Sequence, residues 1–118
     1  MIVGMGTDII EIERFSAWGA KSYKSLRRVF SHDEILYALS DPKKTAERLA
    51  VRFAVREAFY KASFALVPPM PFLSFCAAIS VSSGAPRLTF PLPAEYRTHI
   101  SLSHSRTHAI ATVIIEKV

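Results

Sequence analysis

With 118 residues, half of them hydrophobic, the chain suits one folded domain over 1–118, a composition that argues against disorder. Fifteen Lys and Arg against ten Asp and Glu leave a charge of +5, which calls for an acidic partner: nucleic acid, a phosphorylated small molecule or an acidic protein. No apolar run reaches the roughly 20 residues of a membrane helix, and MIVGMGTDII lacks the marks of a signal peptide. The one cysteine, Cys76, admits no internal disulfide, so a reducing cytoplasm is the expected compartment.

Residues 1–10 read as a short buried strand, with Ile2, Val3, Ile9 and Ile10 around Gly4 and Gly6. Asp8 interrupts the apolar run, either to cap the next segment or to point into a site as a metal ligand. The two glycines are too sparse for a phosphate-binding loop. From Glu11 to about Arg28 the spacing predicts a helix weakened at Gly19, with Arg14, Trp18, Lys21, Ser25 and Arg28 on one stripe. Such a stripe suits docking onto an acidic helix with Trp18 as anchor. The alternative is a solvated basic face with Trp18 tucked against the core.

Ser31 and Glu34 form a capping box that starts a helix running to about Leu39 and ended by Asp41-Pro42. His32, in its first turn, reads as a surface residue. Lys43 and Lys44 precede a central helix expected to begin near Thr45. Within it RLAVRFAVREAFYKA, residues 48–62, has no Gly or Pro and helical composition throughout. Winding it places Ala50, Phe53 and Ala54 on one arc with Glu57 and Lys61, while Arg48, Arg52 and Arg56 form a separate basic stripe. Charges on an apolar face are costly unless paired, metal-bound or lining a site. The plain alternative is a Glu57–Lys61 ion pair on a solvated face, worth a few tenths of a kcal/mol.

The prolines of ASFALVPPMPFLSF forbid further helix and predict a loop held against the body. Residues 75–82 read as a strand in which Cys76 is a buried small hydrophobe. SSGAPR is a turn, 88–90 a returning strand, and 91–95 a further loop. Residues 99–103 and 108–116 read as an antiparallel hairpin. The last run is apolar on both alternations, so it is expected to be central or covered on both faces. Ser103, His104 and Ser105 lie at the turn end, and His104 is the histidine best placed for chemistry. His99 and His108 read as structural. The order strand, helices, strands predicts an α+β fold with an antiparallel sheet packed against helices.

Together GTDIIEIER at 6–14, RFAVREAFYKA at 52–62, GAP at 84–86 and SLSH at 101–104 resemble the holo-acyl-carrier-protein synthases, the short type of 4′-phosphopantetheinyl transferase. The resemblance covers essentially the whole chain. It implies the 4′-phosphopantetheinyl transferase fold and transfer of 4′-phosphopantetheine from coenzyme A to a serine of apo acyl carrier protein. That transfer releases adenosine 3′,5′-bisphosphate and supports fatty acid biosynthesis. Asp8 and Glu57 become Mg²⁺ ligands, suited to a leaving pyrophosphate because hard oxygen donors hold a cation that neutralises its charge.

By the same resemblance Lys61 stabilises developing charge, His104 contacts the coenzyme's phosphates, and Arg52 and Pro86 join them in binding the coenzyme, with Lys43 and Lys44 as weaker contacts. Glu57, Lys61 and His104 are the expected catalytic set, and the base that takes the serine proton is Glu57 or a metal-bound water. Arg14, Trp18, Lys21 and Arg28 become the docking face for the acidic carrier protein, and a homotrimer with active sites between subunits is implied. Neither a nucleic acid nor a membrane is an expected partner.

The chain departs from the family pattern twice. Arg56 stands where a lysine is usual, and SFALVPPMPF replaces a Gly-Thr-Gly-like turn after the helix. The rival readings are a non-catalytic basic module for RNA or an acidic protein, and a family member that has lost catalysis. The first leaves Glu57 and Lys61 unexplained, and the second is opposed by intact Asp8, Glu57, Lys61 and His104.

Overall fold

A computed structural model describes residues 1–66, 78–80, 87–89 and 92–118. Strand β1 (Ile2–Glu11) opens the chain. Two 3₁₀ turns, Ile12–Phe15 and Trp18–Ala20, and the helices α1 (Tyr23–Leu26), α2 (His32–Leu39) and α3 (Thr45–Ala62) follow. After a third 3₁₀ turn at 63–65, short strands β2 (Ala78–Ser80) and β3 (Arg87–Thr89) pair antiparallel, and β4 (Tyr96–His104) and β5 (His108–Lys117) form the terminal hairpin. The main sheet is antiparallel in the order β1-β5-β4. The α+β expectation is borne out, and so is the central place of the last strand.

β5 shows why alternation matters. Ala109, Ala111, Val113 and Ile115 are buried on one face, beneath α3, as a half-covered strand requires. The other face carries Ile110, Thr112, Ile114 and Glu116, which no helix covers among the described residues. β1 behaves in the same way: Gly6 and Ile10 are buried, whereas Met5 and Ile9 are each 63% exposed. The expectation of a buried first strand therefore fails for its outer face. In register, Met5 lies beside Ile114, Thr7 beside Thr112 and Ile9 beside Ile110. The result is an open sheet face that is apolar at both ends and joined at its middle by a hydroxyl contact of 3.1 Å between Thr7 and Thr112.

The helix expected over 11–28 is broken. Glu11 still pairs with His108, and Ile12 N–H donates to the Thr107 carbonyl at 2.9 Å, so the sheet holds the first residues of that segment. Lys21 is extended, and Ser22 caps α1 afresh by accepting from Ser25 N–H at 3.2 Å. Arg14, Trp18, Lys21, Ser25 and Arg28 consequently do not share one helix face. Trp18 is half-buried, with its ring centroid 4.7 Å from that of Phe15 and 6.0 Å from that of Phe30. This is the tucked position, and the Lys21 ammonium sits 5.1 Å from the indole centroid.

The Ser31–Glu34 capping box forms, and α2 and α3 begin and end where expected. The charges that the fold buries are not those expected. Glu57 is half-exposed and Lys61 exposed, whereas Arg52 and Arg56 are only 5% and 1% exposed. A single helical wheel does not reveal this, because α3 is covered twice: by the sheet on its alanine face and by α2 on its arginine face. Residues 82–86 of the expected turn, most of the proline-containing loop, Cys76 and Pro86 lie outside the described residues, and Arg87, expected in that turn, opens β3 instead.

Candidate active site

Gly4 and Gly6 set the approach of β1 to α3. A Cβ on Gly4 would run into the Ala62 carbonyl, and one on Gly6 into the Ala58 carbonyl, with Ala62 N at 2.8 Å. Asp8, on the same face two residues later, is thereby delivered to the helix surface. The Lys61 ammonium donates to the Thr7 carbonyl at 3.0 Å and lies 3.3 Å from Asp8 Oδ1. Its side chain is 47% exposed and that of Asp8 16%, so the pair opens to solvent on the lysine side.

Glu57 stands one turn before Lys61. Its carboxyl is pushed above the ordinary carboxylate range, first by burial and then by the negative charge of Asp8, against the opposing pull of Lys61 and Arg14. A carboxyl whose charge is disfavoured by a neighbouring carboxylate marks a slot whose natural occupant is a cation. Among the described residues no cluster of three His, Cys, Asp or Glu donors forms, so the chain offers two hard oxygen donors and leaves the remaining positions to other ligands. That donor set fits Mg²⁺, which keeps several waters.

His104 Nε2 lies 3.3 Å from Glu47 Oε1. His104 and Asp8 occupy neighbouring same-face rows on the two outer strands, so sheet spacings put their backbones about 12 Å apart. Glu47 precedes Glu57 by ten residues, about 15 Å along the helix. The structure thus brings Asp8, Glu57 and Lys61 together and sets His104 at a second station on the same face. Beside it a cleft is lined by Glu13, Ser16, Ala46, Arg106, Thr107 and His108. Lys43 and Lys44 are exposed just before α3.

Arg52 is not brought to either station. Its guanidinium lies 4.4 Å from the Tyr37 ring centroid, and that of Arg48 lies 4.0 Å from the same ring. Burial pushes its pKa down. Its Nε has no partner among the described residues. Residue spacing did not single out Glu47, whose role needs the hairpin in place, nor the ion pair of Glu34 with Arg56. Ser31-x-x-Glu34 announces only the local half of that arrangement.

A family model described as the 4′-phosphopantetheinyl transferase superfamily matches residues 4–113, spanning Asp8, Glu57, Lys61 and His104. The chain belongs to this superfamily. Within the phosphopantetheinyl transferases it is 37% identical over 119 residues to the holo-[acyl-carrier-protein] synthase of a Geobacillus species, covering 99% of this chain and 98% of the relative. It is 40% identical over 124 residues to that of Treponema pallidum subsp. pallidum, covering 98% and 97%. A crystal structure of the Bacillus anthracis holo-(acyl-carrier-protein) synthase, in complex with CoA (3′,5′-ADP), superposes with a TM-score of 0.77 at 31% identity over 100% of this chain and 99% of that one. The transferase fold expected from the motifs is therefore shown. The carboxylate pair, the lysine and the hairpin histidine lie on a scaffold that a related transferase shares over its full length.

Proposed function

We propose that this transferase is a holo-acyl-carrier-protein synthase, moving 4′-phosphopantetheine from coenzyme A to a serine of apo acyl carrier protein. The observation that carries the reading is the like-charge pair of Asp8 and Glu57 beside Lys61, in a chain related to such synthases from end to end. Asp8 and Glu57 are the ligands proposed for Mg²⁺, which when bound supplies positive charge against the leaving pyrophosphate. Lys61 reaches the same place from the side. In the free protein its ammonium is held by Thr7 and Asp8, and its exposure leaves it able to turn to a phosphate oxygen. His104, steered by Glu47, meets the coenzyme's phosphates at the second station. Pro86 stays in the proposed coenzyme wall on the strength of the motif resemblance alone. A single cysteine suits action in the cytoplasm, and among the described residues no helix is long and apolar enough to cross a membrane.

Intact-mass spectrometry of apo acyl carrier protein incubated with the protein, coenzyme A and Mg²⁺ tests this reading. A gain of one phosphopantetheine, roughly 340 Da, that chelator abolishes is expected. An unchanged mass across several carrier proteins, from folded protein, would overturn it.

The carrier protein's acidic surface is proposed to meet Arg14, Lys21 and Arg28, all exposed around the broken segment before α2. Arg14→Glu with Lys21→Glu is expected to raise the KM for the carrier protein about tenfold and to flatten its salt dependence, with coenzyme A binding retained. Equal loss for both substrates in steady-state kinetics would refute docking there.

A homotrimer with sites between subunits is proposed as the working form. Its support is the sheet face left uncovered among the described residues, where Met5, Ile9 and Ile110 stand exposed in adjoining rows. Ile9→Asp is expected to shift the sedimenting species to a monomer and to abolish transfer. A wild-type protein that sediments as a monomer at working concentration would remove the trimer from the account.

A further inference from the structure

We infer that the buried Glu34–Arg56 pair is a positioning device for the Glu57 carboxylate, an inference that rests on the metal-assisted transfer just proposed. Arg56 Nη1 donates to Glu34 Oε2 at 2.9 Å and Nη2 donates to Oε1, a two-pronged contact with both side chains 2% exposed. The carboxylate is itself fixed. Glu34 Oε1 accepts from Ser31 N–H at 2.9 Å, while Glu34 N–H donates to Ser31 Oγ at 3.3 Å. The guanidinium carbon also sits 5.3 Å from the Phe30 ring centroid. The capping box of one helix is thus the mount for an arginine of another, and the residue after that arginine is Glu57.

Stability alone gives little reason for this arrangement. A buried ion pair is costly to desolvate, and a well-packed apolar replacement is often as stable. What the fork supplies is register. The sheet side of α3 presents Ala50, Ala54, Ala58 and Ala62, all buried, and β1 and β5 bury Gly6, Ala109 and Ala111 beside the larger Ile10, Val113 and Ile115. The methyl groups of the helix interlock weakly even with the larger of these, so they set the distance between helix and sheet better than the rotation of the helix about its axis. A carboxylate about 6 Å from that axis moves about 1 Å for a 10° turn. Errors of this size cost roughly 100-fold in catalysis. The lock acts one residue from the ligand. Among the described residues, the side-chain tie between α3 and Asp8 runs through Lys61, whose side chain is exposed.

The test compares Glu34→Gln/Arg56→Met, Arg56→Lys and wild type in three assays: thermal melting, steady-state transfer, and Mn²⁺ binding by electron paramagnetic resonance without substrates. The double variant removes both charges together, and Gln keeps the capping box. Its expected outcome is near-native melting, kcat lower by about 10- to 100-fold, an unchanged KM for the carrier protein, and Mn²⁺ affinity weakened several-fold. Arg56→Lys, which retains a charge-assisted bond to Glu34, is expected to recover most of both losses. A folded double variant with native kcat and native Mn²⁺ affinity would overturn the inference. If the double variant does not fold, Glu34→Asp, which keeps both charges and draws the mount back by one methylene, decides by the same two values. Wild type that binds Mn²⁺ in a pair-dependent way yet transfers nothing would sink the proposed function and leave the positioning role standing.

Discussion

Glu57→Ala should give a folded protein whose transfer rate is lower by about 10³-fold or more at any Mg²⁺ concentration. The folded state should not suffer, because Glu57 is half-exposed and its ionised form is disfavoured there by burial and by Asp8. The same shift fixes a sign. With a folded pKa above its unfolded value, Glu57 binds more protons in the native state, so its contribution to metal-free stability is full below the unfolded pKa and is lost as pH rises through the folded one. Mg²⁺ requires the ionised carboxylate, so its stabilisation should be largest at neutral pH and shrink on acidification through that raised pKa. Melting curves with and without Mg²⁺, from about pH 7.5 down to about pH 5, check this. Wild type should show a Mg²⁺-dependent rise that fades, and Glu57→Ala should show little rise at any pH. A variant that keeps both transfer and the melting shift would remove Glu57 from the metal site.

What the chain discloses on reading, and what it withholds, follows from the range of each interaction. α2 is legible because both of its ends are written locally, in Ser31, Glu34 and Asp41-Pro42. The hairpin is legible because β5 is largely apolar from Ala109 to Ile115 while residues 105–107 are polar. Ser105 then closes that turn by accepting from the N–H groups of Thr107 and His108 at 3.2 and 3.1 Å. The stretch after Glu11 misleads because helical spacing of Arg14, Trp18 and Lys21 is also what two short turns produce, and the sheet bond from Ile12 to Thr107 is not a local signal. Arg52 and Arg56 mislead for the same reason, since only the placement of α2 makes their face an interior.

The site is legible in kind but not in geometry. Asp8 and Lys61 are separated by 53 positions, and nothing in their spacing says that they touch. The motif resemblance put Asp8, Glu57 and Lys61 in one place. The structure adds how they get there, through two glycines and an alanine face. It also adds Glu47 as the partner of His104, which no motif supplied.

Gly6→Ala is expected to be among the most damaging conservative changes in the chain, for reasons of volume alone. One methyl group would have to occupy the position of the Ala58 carbonyl oxygen, and this obstacle is helix backbone rather than a side chain able to turn aside. Either β1 retreats from α3 or the helix shifts against α2 and strains the Arg56–Glu34 fork. Overpacking of this kind costs about 3 kcal/mol or more, which for a chain of this size lowers the melting temperature by about 10 °C. The damage should extend to function, because Asp8 lies two residues further along the same strand face. Transfer by the folded fraction, measured well below the new melting temperature, should fall about tenfold or more as Asp8 and Glu57 lose their spacing. Circular dichroism melting together with single-turnover transfer separates the two effects. A Gly6→Ala protein that melts like wild type would mean that β1 does not lie as close to α3 as the site requires, and the account of how Asp8 reaches Glu57 would fall with it.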